Sequence, residues 1–405
     1  MHMIAKKNII LVALALGSAG AAMAQAANTS KVELWGIVDA AVRHTNNEGA
    51  DRGSKTQMTG GGMSQSRWGI NVTEDLGGGS KALVVLENRF DADAGNSAVG
   101  APYFQLANIG LETPYGRLTA GRQWNVLFDV VTSTYASFPY SPYMEAYKPE
   151  LGMAMGARTS NMLKYTFATP DRSLVGSLQY SFDENNDTKA LEAGLPGSAA
   201  QVPAYVASTL MSGTWKTVGG YLRYAPAKTG LAVGGGYMRT TMPGGTDVDA
   251  WTLGGSYRTG PWYLSAGYGL NKAKYAAVTS TVQGFRNAVD GAILNVFWQG
   301  ASNGGFLAGD ANKRQLIQLG VGYQATNQLN LGVHYYRGKQ QGSASGLNNG
   351  NANFLVAVAD YAFSKRTDAY FGIDHTSVSG GANNALDANG AKNRSGITVG
   401  LRHRF

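Results

Sequence analysis

Residues Ser395–Phe405 read SGITVGLRHRF. Ile397, Val399, Leu401, His403 and Phe405 fall on one side of an extended chain, and Thr398, Gly400, Arg402 and Arg404 on the other. Such period-2 alternation describes a strand with one apolar and one polar face. The stretch closes on an aromatic residue with no closing turn or polar tail, so the strand needs a pairing partner to be stable. The same alternation recurs backward through the chain, and repetition of this kind reads as a transmembrane β-barrel.

The other end is consistent with export. Lys6 and Lys7 form a basic segment, Asn8 to Gly20 is mostly apolar, and Ala22-Met23-Ala24 offers a small-x-small cleavage pattern. Residues 1–24 are therefore predicted to be a signal peptide cut after Ala24, with Ala26 the alternative, and 25–405 the barrel. The apolar run is shorter than the roughly 18 to 20 residues a spanning helix requires.

Composition narrows the class. There is no Cys, which excludes a disulfide framework and thiolate-bound metal. Gly is abundant, at 55 of 405 residues against 11 Pro. Many glycines lie inside apolar stretches, as at Gly234-Gly235-Gly236, Gly254-Gly255, Gly267 and Gly269, where a strand bends or another chain approaches closely. A mean hydropathy of -0.18 suits a barrel, which needs only every second residue apolar. The formal charge of +8 becomes +6 once Lys6 and Lys7 leave with the signal, and the remaining charges are scattered singly. Without a Lys/Arg run or basic helix, nucleic-acid binding is not expected.

Sixteen alternating segments are predicted, at about 32–44, 64–74, 80–90, 103–112, 117–123, 159–168, 173–182, 213–224, 230–240, 249–258, 262–271, 313–324, 328–339, 352–363, 367–376 and 394–405. Short connectors such as Pro114-Tyr115-Gly116 and Thr259-Gly260-Pro261 alternate with longer ones, including 124–158, 183–212 and 272–312. Short turns at one rim and long loops at the other are the outer-membrane arrangement. The apolar run Ala288–Trp298 is assigned to the last of these loops, because counting it as a strand would make the total odd. Tyr224, Tyr257, Trp262, Tyr323, Tyr361 and Phe363 flank the short turns, where rings would sit at lipid headgroups.

Particular stretches resemble the Gram-negative general porin family, especially its β-proteobacterial branch: Val32-Glu33-Leu34-Trp35-Gly36-Ile37-Val38-Asp39, Ser66-Arg67-Trp68-Gly69, Glu74-Asp75-Leu76-Gly77-Gly78-Gly79, Gly121-Arg122-Gln123, Asp360-Tyr361 with Ser364-Lys365-Arg366-Thr367, and Val399–Phe405. The resemblance runs over essentially the whole mature chain. It implies a sixteen-stranded all-β antiparallel barrel, a homotrimer with one pore per subunit, and a third loop folded into each pore as its constriction. It also implies outer-membrane lipid, lipopolysaccharide and the barrel assembly machinery as partners, with Phe405 as the assembly signal.

The third loop, 124–158, is too long for a hairpin and carries Asp129, Glu145 and Glu150 among many aromatic residues. Pro149-Glu150-Leu151-Gly152 is similar to the turn of porin constriction loops, which places Glu150 in the pore with Glu145 nearby; Asp129 sits near the loop's start. On the facing wall, alternation turns Arg67, Arg158 and Lys164 inward, and Arg43, Lys81 and Arg89 pass the same test. Where many relatives carry a further arginine this chain has Gln105, which weakens the expected basic cluster. Opposed acids and bases across a wet slot make a transverse field that filters by charge.

Catalytic patterns are missing. His44, His334, His375 and His403 belong to no HExxH or GxSxG context, and Gly77-Gly78-Gly79-Ser80-Lys81 lacks the spacing of a phosphate loop. The expected function is diffusion of small hydrophilic solutes and ions with mild anion preference, without cofactor or metal. The alternatives are a channel tuned to organic acids, phosphate or sugars and, further off, a barrel enzyme or an adhesin.

Overall fold

The computed structural model describes residues 30–48, 51–97, 103–135, 157–182, 216–242, 246–274, 312–382, 384–386 and 390–405. The signal segment, the run Ala288–Trp298 and most of the long loops lie outside these residues. Strands β1 (Lys31–Glu48), β2 (Gly53–Thr59), β3 (Arg67–Gly77), β4 (Ser80–Arg89), β5 (Phe104–Thr113) and β6 (Gly116–Trp124) precede a helix, α1 (Val126–Thr134). Then follow β7 (Arg158–Ala168), β8 (Leu174–Ser181), β9 (Lys216–Tyr224), β10 (Leu231–Met242), β11 (Thr246–Thr259) and β12 (Trp262–Lys274). The chain ends with β13 (Lys313–Gln324), β14 (Leu329–Gln341), β15 (Gly350–Ala362), β16 (Thr367–Gly380) and β17 (Asn393–Arg404).

All seventeen strands belong to one antiparallel sheet, and β1 closes it by pairing with β17 from Ile37↔Arg404 to Thr45↔Gly396. β2 and β3 both pair with β1, over Ala41–Glu48 and Lys31–Ile37 respectively, so together they form one stave and the barrel has sixteen. This stave starts with β2 at Gly53, ahead of residue 64 where alternation alone places its beginning. β12 pairs directly with β13, from Trp262↔Tyr323 to Lys272↔Lys313. Closure leaves no open edge, which is what a strand needs where no water can satisfy its backbone.

Polarity is inverted relative to a soluble fold. Ile397, Val399 and Leu401 are about half exposed, whereas Thr398 and Arg402 on the other face of β17 are buried. The same division runs along β13, where Ile317, Leu319 and Val321 face out and Leu316 and Gln318 face in. Outward rings collect beside the short turns as expected, with Trp262 and Tyr323 at 4.6 Å and Tyr361 and Phe363 at 5.3 Å between centroids. A second girdle, including the Tyr237–Trp251 pair, lies toward the long-loop rim. Along β11, Trp251 to Tyr257 gives an apolar outer band of about 20 Å of strand.

Candidate functional site

The inner wall carries the charge. Register sets Arg67 on β3 directly opposite Arg89 on β4, an arrangement of like charges that is unfavourable without a counterion. Glu87, two residues before Arg89 on the same face, supplies it. Its buried carboxylate lies 2.9 Å from Nε of Arg89, 3.7 Å from Nη2 of Arg158 and 3.9 Å from Nη1 of Arg67. Arg89 also donates to Oε1 of Gln65 at 2.8 Å. Trp124, at the end of β6, lies under the Arg158 guanidinium at 3.8 Å and 5.4 Å from that of Arg89. Among the described residues these three guanidiniums gather around the Glu87 carboxylate, and their planar donor forks match carboxylate and phosphate oxygens.

The connection after β6 turns into the barrel. Asn125 caps α1 by accepting from the Phe128 amide at 2.9 Å, and Phe128 stacks on Trp124 at 3.7 Å. Val126, Leu127, Val130 and Val131 are fully buried against the inner faces of β9, β10 and β11. The glycines noted in the sequence make this docking possible. A Cβ on Gly234 would come within 2.9 Å of Val130, and one on Gly254 or Gly267 would enter the ring of Tyr135. Tyr135 also hydrogen-bonds Thr252. Asp129 of α1 meets Nζ of Lys164 at 2.7 Å, and the same ammonium donates to the Trp124 carbonyl at 2.8 Å. Where the sequence predicts a loop throughout 124–158, the structure has α1; apolar residues at helical spacing in Val126–Val131 are its signal.

A second charged group lines β1, β16 and β17. Arg43 grips Asp374 through Nη1 at 2.7 Å and Nη2 at 3.1 Å. Arg402 holds Asp368 at 2.6 Å and lies 3.6 Å from Asp360, and Arg404 also reaches Asp368, at 2.5 Å. These cations are matched by acids and add little net field.

Of the residues singled out from sequence, Arg67 and Arg158 come together around Glu87. Lys164 and Asp129 form a pair beside them, tying α1 to β7. Arg43 stands on another part of the wall, neutralised by Asp374. Lys81 lies near the short-turn rim, opposite Glu112 and Asp75. Glu145 and Glu150 lie outside the described residues. Gln105 is buried on β5, and Arg89, one of the further cations that alternation turned inward, supplies the third guanidinium of the cluster. Glu87 and Trp124 were missed, because a lone acid and a lone ring on alternating strands carry no motif. His334 faces inward, while His403 faces out and bonds Thr367.

A closed barrel with an apolar exterior, a polar interior and a helix lodged against its inner wall is a membrane pore. The sequence matches the Gram-negative porin family over residues 11–381, and the chain belongs to it. It is 31% identical to outer membrane porin protein 32 of Delftia acidovorans over 64% of this chain and 68% of that one. With an outer membrane porin protein of Bordetella pertussis the identity is 26%, over 80% of this chain and 92% of the relative. The anion-selective porin from Comamonas acidovorans superposes with a TM-score of 0.67 at 23% identity, covering 93% of this chain and 100% of that one. The protein is thus an outer-membrane channel, not an enzyme.

Proposed function

We propose that the channel passes small hydrophilic solutes with a mild preference for anions, as a homotrimer with one pore per subunit. The observation that carries the preference is the convergence of Arg67, Arg89 and Arg158 around Glu87 on the inner wall. The likeness to the anion-selective porin of Comamonas points the same way. Glu145 and Glu150 are read as the acids of the facing loop, and Lys164 as the tether that holds this loop's start through Asp129. Reversal potential in a salt gradient tests the reading. Arg67→Glu moves it toward cations and Glu150→Gln toward anions, most strongly at low salt, because the Debye length falls from about 30 Å at 0.01 M to about 3 Å at 1 M. Unchanged reversal potentials in both variants at low salt would remove these residues from the constriction.

A channel tuned to organic acids or phosphate is the second reading, favoured by the forked donors of Arg158 and Arg89 beside Trp124. In that case millimolar organic acid or phosphate would reduce chloride conductance in wild type and not in Arg158→Ala.

We read residues 1–24 as a cleaved signal and Phe405 as the residue recognised by the barrel assembly machinery. Lipopolysaccharide is proposed as the lipid partner. Lys272 and Lys313 are direct cross-strand neighbours on the outward face beyond the upper girdle, with Arg337 and Lys339 on the adjoining strand. Among the described residues none of these four has a carboxylate partner, in contrast to Arg239 and Lys274, which share Asp249. Unmatched cations at that height suit lipid phosphates.

A further inference from the structure

Residues 60–66 interrupt the second stave. Ile37 pairs with Arg67 and Ala41 with Thr59, so three residues of β1 face seven on the other side, far more than an ordinary bulge inserts. The surplus folds inward over β1. Gly62 packs so closely on Tyr370 of β16 that a Cβ there would enter the ring, Met63 is buried in the same apolar cluster as Tyr370 and Phe354, and Ser64 Oγ accepts from Nη1 of Arg402 at 2.8 Å. At its far end Gln65 accepts from Arg89. The segment therefore reaches from β16 and β17 to the basic group on β4.

One side chain holds it there. Asp39 is fully buried, and its carboxylate accepts from the amides of Gly62 at 3.2 Å, Met63 at 3.1 Å and Ser64 at 2.6 Å, and from the Tyr370 hydroxyl at 2.5 Å. The Asp39 backbone is tied in turn to Ser66, whose Oγ accepts from its amide at 3.0 Å and donates to its carbonyl at 3.1 Å. Three successive amides converging on one carboxylate fix the path of a segment that has no sheet partner of its own.

We infer that 60–66 is an inward flap that helps set the pore's width and selectivity, that Asp39 is the positioning residue that latches it, and that Gln65 is the residue through which it orients Arg89. This rests on the assignment of Arg67, Arg89 and Arg158 to the conducting path. The flap narrows the lumen from the β1 side while α1 occupies the β9–β11 side. The neutral amide of Gln65 acts by holding one of three guanidiniums, so it alters selectivity without altering charge.

Single-cysteine labelling in the full-length protein tests the latch, since the chain has no Cys of its own. Met63→Cys should resist a charged methanethiosulfonate reagent added to open channels, and should become reactive at least tenfold faster in an Asp39→Asn background, with current changing on modification. Tyr370→Phe, which removes one donor and keeps the ring, should give an intermediate rate. Gln65→Ala should shift the anion-to-cation permeability ratio about twofold at low salt. Equal labelling of Met63→Cys with and without Asp39→Asn would overturn the latch, whereas a Gln65→Ala reversal potential identical to wild type would overturn the selectivity role. If Asp39→Asn yields no folded protein, the Tyr370→Phe rate decides the latch in its place. If Arg67→Glu shifts selectivity and Gln65→Ala does not, the basic cluster stands and the flap is only structural.

Discussion

Glu87 shows how one residue can carry both stability and selectivity. Its carboxylate is a shared counterion of three arginines on three strands, so Glu87→Gln removes an attraction that offsets their mutual repulsion. Hydrogen bonds to charged partners contribute about 1.5–3 kcal/mol each, and the loss should appear as a lower unfolding midpoint in urea. The same variant should conduct with a stronger anion preference, because one negative charge leaves the pore wall. A variant that is less stable yet unchanged in reversal potential would place the cluster off the conducting path. Lys164→Ala has a different signature. It leaves the Asp129 carboxylate without its ammonium, so the expected result is a loosened α1, seen as noisier current, together with a reversal potential moved toward cations.

Among the elements, α1 depends on side chains that are missing from the wall. Glycines on β10, β11 and β12 leave a flat inner face on which Val130 and Tyr135 lie directly against backbone. Gly254→Val forces Tyr135 off that face, at a cost of about 1–3 kcal/mol of local overpacking. The barrel's outer surface is untouched by this change, so heat-modifiable folding should persist while single-channel conductance changes. Unaltered conductance would show that the position of α1 does not govern the pore. In the sequence these glycines were visible as bends or close approaches; which segment approaches was not, because the contact joins positions more than a hundred residues apart.

For the whole molecule, closure of the sheet is the decisive event. Phe405 joins β1 through its amide to the Gly36 carbonyl at 3.0 Å and accepts from the Gly36 amide at 3.1 Å, and its ring covers Gly36. Deleting Phe405 should sharply reduce folded, heat-modifiable protein in the outer membrane, measured by unheated gels of membrane fractions. The intact protein should migrate as a trimer on such gels and close in three conductance steps in planar bilayers. A single closing step from a monomeric band would count against the trimer.

The alternation of side chains by itself determined the strands other than β2, their number as staves, the outward and inward faces and the aromatic girdle at the short turns, because each follows from a period of two that is local in the chain. It also turned Arg67, Arg158 and Lys164 inward. Only the tertiary structure decided which charges meet: that Arg89 joins Arg67 and Arg158 around Glu87, that Lys164 is neutralised by Asp129 and Arg43 by Asp374, and that residues 60–66 fold inward onto Asp39. Those outcomes depend on stagger between strands and on segments that fold back onto the inner wall. Both are set by long-range pairing, and no local period encodes them.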